Sequence, residues 1–258
     1  MTLENQVALV TGAGRGIGQG IAMALAEAGA DVAVADLDID IARATAAQVE
    51  QKGRRSVAIQ VDVTRPESVD AMVRDTESAL GRLDIAVNNA GVISIKSIDE
   101  LTLDDWERLM QVNVRGVFLC TQAALRVMRP RGFGRVVNIA SIAGKVGFPD
   151  LSHYSASKFA VIGFTNAVAK EVAAEGITVN ALCPGIVGTD MWRGDQGLAG
   201  RWRDEGETEE QSWARHQKTL LPQGIAQTPQ DMGQLSVYLA SAEHVTGQAI
   251  AVDGGFSL

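Results

Sequence analysis

At 258 residues, with 46% hydrophobic and 21% charged side chains, the chain has an ordinary soluble balance and enough apolar material for one sizeable core. A formal net charge of -8 argues against a nucleic-acid backbone or an anionic membrane as the main partner, and no apolar run approaches the roughly 18 residues of a spanning helix. Two cysteines (Cys120, Cys183) and three histidines (His153, His216, His244) lack any metal-ligand spacing, so no metal is expected and a reducing, cytoplasmic setting is.

Met1 leads within six residues into a core strand, unlike a signal or transit peptide. Short apolar runs at 7–11, 31–35, 56–61, 85–88, 135–139, 178–182 and 249–252 alternate with helical patterns near 16–28, 38–52, 67–81, 103–129, 153–175 and 229–241. Strands alternating with helices predict a doubly wound α/β fold, with a seven-stranded parallel sheet covered on both faces. No Ser/Pro-rich tract, charge block or repeat interrupts the pattern, so a single domain over 1–258 is expected. Ligands of such sheets bind at the carboxyl ends of the strands, where strand order reverses.

The first run enters Thr11-Gly12-Ala13-Gly14-Arg15-Gly16-Ile17-Gly18 and then an alanine-rich helix. Glycines allow a tight turn and close approach to a pyrophosphate, and the helix N-terminus offers free N–H groups and positive potential. The spacing Gly-x-x-x-Gly-x-Gly departs from the general Gly-x-Gly-x-x-Gly dinucleotide pattern, so the turn alone could be structural. Asp36 closes the second strand 18 residues after Gly18, near the roughly 20 residues expected of a carboxylate that binds an adenosine ribose. It would repel a 2'-phosphate, so NAD is expected over NADP; Arg15 pulls the other way.

Between Asn138 and Lys158 stand Ser141, Tyr154 and Lys158 in the order Ser-x12-Tyr-x3-Lys. On a helix Tyr154 and Lys158 share a face, and a cation beside the phenol would lower its pKa and equip it to exchange a proton with an alcohol or carbonyl. Ser141 ends an apolar run and could hydrogen-bond the same oxygen. It lacks the Gly-x-Ser-x-Gly surroundings of a hydrolase nucleophile.

These residues resemble the classical short-chain dehydrogenase/reductases over almost the whole chain. Thr11 to Gly18 is similar to the family's cofactor motif, Asn88-Asn89-Ala90-Gly91 to its sheet-stabilising motif, and Asn113, Ser141, Tyr154 and Lys158 to its catalytic tetrad. Pro184-Gly185, with Val187 and Thr189, resembles the segment that holds the nicotinamide, and Val252-Asp253-Gly254-Gly255 the C-terminal signature. The resemblance implies that Gly12, Arg15, Gly16, Ile17 and Gly18 meet the cofactor, that Asp62 and Val63 flank the adenine, and that Asn89, Ala90 and Gly91 line it. It implies Tyr154 as acid/base, Ser141 as the group polarising the substrate oxygen, and Lys158 as partner of both Tyr154 and the nicotinamide ribose. Asn113 would hold a water linking Lys158 to solvent; alternatively it is a helix asparagine satisfied by backbone. A homotetramer is implied as well, with the helices at 103–129 and 153–175 at an interface.

Residues 189–222 form an insert bearing Trp192, Trp202 and Trp213. It reads equally as a lid over the substrate or as two short amphipathic helices whose tryptophans only dock them. Thr189-Asp190-Met191-Trp192 is similar to the same stretch of family members that act on diols, acyloins and sugar alcohols. A small secondary alcohol and its ketone are therefore the expected substrate pair. The alternatives are an NADPH-dependent 3-oxoacyl carrier-protein reductase, which Arg15 suits and Asp36 does not, and a non-catalytic binding member of the fold.

Overall fold

The computed structural model describes residues 2–194 and 196–258; Met1, and Asp195 within the expected insert, lie outside the described residues. Seven strands form one parallel sheet in the order β3-β2-β1-β4-β5-β6-β7. They are β1 (Val7–Thr11), β2 (Asp31–Asp36), β3 (Ser56–Gln60), β4 (Ile85–Asn88), β5 (Gly134–Ile139), β6 (Ile177–Pro184) and β7 (Ala249–Val252). Each strand's side chains alternate between two cores. Val7, Leu9 and Ala86 face one layer, while Ala8, Val10, Ile85 and Val87 face the other, as the two-residue period of a strand requires. With both faces covered, a strand gains nothing from polar alternation, which is why these segments read as continuous apolar runs.

The first layer is built by α3 (Pro66–Leu80), α5 (Gly116–Met128) and α6 (Ser152–Val172), and the second by α1 (Gly16–Glu27), α2 (Ile39–Gln51) and α9 (Pro229–Ser241). Helix starts follow local chemistry: α3 and α9 carry proline in the first turn, and Thr228 and Asp231 form a capping box at α9. The sheet's middle is tied by polar groups. Asn88 Nδ2 donates to Asn138 Oδ1 at 2.8 Å and to Thr121 Oγ1 at 2.9 Å, and Asn138 Nδ2 donates to Thr165 Oγ1 at 2.9 Å. Such a satisfied buried network fixes the register between β4 and β5.

The helix expected over 103–129 is not continuous. α4 (Leu103–Met110) gives way to a π-helical turn at Gln111–Arg115, where the Gly116 N–H bonds Gln111 O, before α5 resumes. A one-residue widening leaves the apolar period nearly intact, so periodicity cannot register it. β6 runs on to Pro184 instead of stopping at 182, because β7 pairs with it there, Pro184 opposite Val252. Among the described residues, no helix is long and apolar enough to cross a membrane.

Candidate active site

The order of the sheet reverses between β1 and β4, and the loops leaving the carboxyl ends of the strands surround a cleft of about 790 Å³. Its floor is backbone. Gly12 and Gly16 have φ of +61° and +58°, and a Cβ on Gly12 would stand 2.9 Å from Ala90 Cα. Asn89 Nδ2 donates to the carbonyls of Thr11 and Gly12, both at 2.9 Å, while Thr11 Oγ1 accepts from the N–H groups of Asn89 and Ala90. The turn after β1 is thus laced to the end of β4. Arg15, the N-cap of α1, supplies no side-chain cap, which leaves N–H groups at the helix N-terminus for an anion.

Asp36 is fixed at the end of β2, its carboxylate accepting from Gly14 N at 2.9 Å and Asp38 N at 3.2 Å. Asp62 accepts from the Thr64 hydroxyl at 2.7 Å and backbone at 2.9 Å, and these bonds hold its carboxyl below the usual range. A glycine turn, an uncapped helix start and a carboxylate at the end of β2 lining the same cleft fit the pyrophosphate and adenosine of a dinucleotide.

Ser141, Tyr154 and Lys158 line the same cleft. Ser141 follows β5, and its Oγ accepts from Ala143 N at 3.1 Å. Tyr154 and Lys158 are buried one turn apart on α6. Lys158 Nζ donates to the carbonyl of Ile139 at 2.9 Å and lies 5.6 Å from the Tyr154 ring centroid. Burial pushes the Tyr154 phenol up to about 12, opposed by a hydrogen bond with Ser141, and lowers the Lys158 ammonium to about 8. The phenol is not lowered as the Tyr-x3-Lys pairing led us to expect: removal from water is the largest influence on it and acts in the opposite direction.

Every residue expected to meet the cofactor lines this cleft, from Gly12, Arg15, Gly16, Ile17 and Gly18 to Pro184, Gly185, Val187 and Thr189. Thr189 Cγ2 lies 3.5 Å from where a Gly16 Cβ would be, so the glycine turn and the segment after β6 meet. Arg15 reaches outward and pairs with Asp190 at 3.5 Å, both side chains at least three-quarters exposed. Asn113 is not on the wall. Fully buried in the π turn, its Oδ1 accepts from Val92 N at 2.9 Å, and its Nδ2 donates to Val92 O at 2.9 Å and Ser157 Oγ at 3.2 Å. Its side chain is engaged by the Val92 backbone and the Ser157 hydroxyl.

The insert folds as α7 (Leu198–Arg201) and α8 (Glu209–Leu220), and Trp192, Trp202 and His216 are among its residues that line the cleft. Trp192 is its centre, with ring centroids 5.9 Å from Trp202, 6.0 Å from Trp213 and 6.0 Å from His216. Sequence reasoning did not place Phe148, His216 or Phe256 in the site. The Phe148 and Phe256 rings meet at 5.4 Å across the cleft, and no local pattern links residues so far apart in the chain.

A family model described as short chain dehydrogenase matches residues 6–196. The chain belongs to the short-chain dehydrogenase family. A 3-oxoacyl-[acyl-carrier-protein] reductase of Synechocystis sp. is 38% identical over 98% of this chain and 97% of that protein. An L-2,3-butanediol dehydrogenase of Corynebacterium glutamicum is 41% identical over 82% of each. Among solved structures, a short-chain type dehydrogenase/reductase from Mycobacterium marinum superposes with a TM-score of 0.89 at 35% identity, covering 99% of this chain and 96% of that one. This short-chain dehydrogenase is accordingly an oxidoreductase of CH–OH groups that uses a nicotinamide cofactor.

Proposed function

We propose that this chain interconverts a secondary alcohol and its ketone with NAD, and that Tyr154 exchanges the proton. The observation that carries the reading is the placement of Ser141, Tyr154 and Lys158 in the same cleft as the glycine turn and Asp36. The nicotinamide, when bound, supplies or takes up the hydride. Gly12, Gly16, Gly18 and the α1 N-terminus would hold its pyrophosphate, Asp36 the adenosine ribose, and Thr189 with Lys158 the nicotinamide end. Ser141 donates to the substrate oxygen and orients it beside Tyr154. With its phenol near 12, Tyr154 retains its proton at neutral pH and is ready to protonate a ketone oxygen. Lys158, lowered to about 8, still carries charge at pH 7 and steadies the phenol when the proton leaves it. Asn113 holds Val92 and Ser157 in place beneath these groups.

Asp36 favours NAD because its carboxylate, already fixed by two N–H groups, cannot swing away from a 2'-phosphate. The butanediol relative and the Thr189 to Trp192 stretch speak for a small substrate. The walls speak for one with an apolar body. Charges of the insert pair with each other, Arg193 with Glu209 and Arg215 with Glu207, while Phe148, Trp192, Trp202 and Phe256 line the cleft. A 3-oxoacyl thioester is the second reading, favoured by the reductase relative. Exposed Leu103, Trp106, Phe118 and Phe159 on α4, α5 and α6 support a homotetramer through those helices.

The deciding experiment is a panel of secondary alcohols and ketones assayed with NAD(H) and NADP(H). Turnover with NADP(H) alone, or none with any alcohol or ketone, would overturn the reading.

A further inference from the structure

One imidazole interrupts the aromatic wall beside Tyr154. Trp202 packs against the cluster of Leu109, Ala143, Leu151 and Tyr154, and its ring is 6.0 Å from that of His216 on α8. His216 is only 6% exposed, and the cleft is what it lines. Its Nδ1 stands 2.7 Å from the Ser212 carbonyl oxygen and 3.2 Å from Ser212 Oγ. A carbonyl can only accept, so Nδ1 carries the hydrogen and, in the neutral ring, Nε2 is an acceptor. Among the described residues Nε2 has no hydrogen-bond partner. The neighbouring carboxylates are engaged elsewhere, Glu207 by Arg215 at 2.8 Å and Glu209 by Arg193 at 2.7 Å. A polar atom set among tryptophans and left without a protein partner is a place where a ligand donor is favoured.

We infer that His216 is a specificity-determining residue whose Nε2 accepts a hydrogen bond from a substrate hydroxyl remote from the reacting carbon. The substrate class is then a secondary alcohol or ketone with a ring-sized apolar body that ends in a hydroxyl. This rests on the oxidoreductase reading above. Trp202 stands between the Tyr154 cluster and His216, so a ring-sized spacer suits the separation of the two polar groups better than the adjacent carbons of a small diol. The aromatic rings of Trp192 and Trp202 would bury that spacer, and the imidazole would reject analogues in which its acceptor stays unpaired.

The test uses benzylacetone, its para-hydroxy counterpart, and acetoin as the small polar probe. Each ketone is titrated calorimetrically into the protein saturated with oxidised NAD, a mixture that cannot turn over. Wild type is expected to bind the para-hydroxy ketone about five- to tenfold tighter than benzylacetone, the size of one hydrogen bond, and acetoin more weakly than either. His216→Phe should erase the preference between the two aryl ketones, and His216→Gln, which keeps an acceptor, should retain part of it. Equal binding of the two aryl ketones by wild type, binding of neither, or a preference that survives in His216→Phe would overturn the inference. The wild-type comparison decides even if a variant fails to fold. Reduction of the same ketones with NADH is measured in parallel. No turnover beside a clear binding preference would sink the oxidoreductase reading and uphold the role of His216, and brisk turnover with equal binding would do the reverse.

Discussion

Lys158 spends its hydrogen bond on the carbonyl of Ile139 at 2.9 Å while lying 5.6 Å from the centre of the Tyr154 ring. The lysine is thereby anchored to the end of β5, the strand that also delivers Ser141. Its charge stands behind the phenol rather than on it. Burial holds the phenol near 12 against the opposing hydrogen bond with Ser141.

Tyr154→Phe is expected to lower kcat by at least about a thousandfold, in the upper range of a lost acid/base, with NAD affinity and thermal stability little changed. The ring stays in its cluster with Leu109, Ala143 and Leu151, and only the hydroxyl goes. Steady-state rates with calorimetric NAD binding check this. A tenth or more of wild-type activity would place the proton transfer elsewhere.

For Lys158 the sign of the pH dependence follows from its lowered value. The unfolded lysine keeps its proton up to about 10.5 and the folded one only to about 8, so between these values the unfolded chain binds the extra proton and folding strengthens as pH rises. Below 8 both states are charged and the burial cost is fully present. Against Lys158→Met, the cofactor-free wild type should gain up to about 3 kcal/mol between pH 8 and 10.5, at 1.36 kcal/mol per unit. Denaturant unfolding across that window is the measurement, and parallel curves for the two proteins would contradict it. The variant should also bind NAD more weakly.

Asp36→Ala combined with Leu37→Arg should shift preference toward NADP by at least about tenfold, by removing a repulsion and adding a phosphate partner. Leu37 is exposed on the rim of the cleft, where an arginine has room. Because Asp36 also accepts from Gly14 and Asp38, the pair should cost about 1 kcal/mol of stability, as lost hydrogen bonds do. The ratio of kcat/KM with the two cofactors reads the first effect and thermal unfolding the second.

The order of strands and helices was legible because the strands at the middle of the sheet are buried on both faces and the helices on one, which imprints distinct patterns on residues such as Val7 to Thr11 and Pro66 to Leu80. That Gly12, Asp36, Ser141 and Tyr154 line one cleft was legible because each sits at a local feature: a turn, a strand end or one helical face. What escaped was non-local or periodic-silent. The π turn around Asn113 preserves the apolar pattern, the buried state of the Tyr154 phenol depends on elements far away in sequence, and Phe256 meets Phe148 only because the C-terminal segment after β7 returns to the cleft. The insert was half legible. Its tryptophans announced a packed unit, but nothing in their spacing said that His216 would join them.

The last prediction concerns that insert, which is expected to move as a unit against the cleft and to quieten when NAD binds. Internally it is well tied. Arg193 grips Glu209 with two bonds at 2.7 and 3.2 Å and stacks 5.2 Å above the Trp213 ring, and Arg215 holds both Glu207 and the Trp202 carbonyl. Its tie to the glycine turn is weaker, since the Arg15–Asp190 pair is open to solvent, and such pairs contribute little. A unit tied this way is expected to close when the cofactor gives Thr189 and its neighbours something to rest upon. Hydrogen exchange should therefore show protection rising across 190–215 on NAD binding, with α8 already the slower-exchanging part in the free protein. Trp192→Ala removes the ring that touches Trp202, Trp213 and His216, so it should raise KM for the substrate at least about fivefold while changing NAD affinity less. Equal exchange with and without NAD would make the insert a fixed wall, and an unchanged substrate KM in Trp192→Ala would move specificity away from its aromatic cluster.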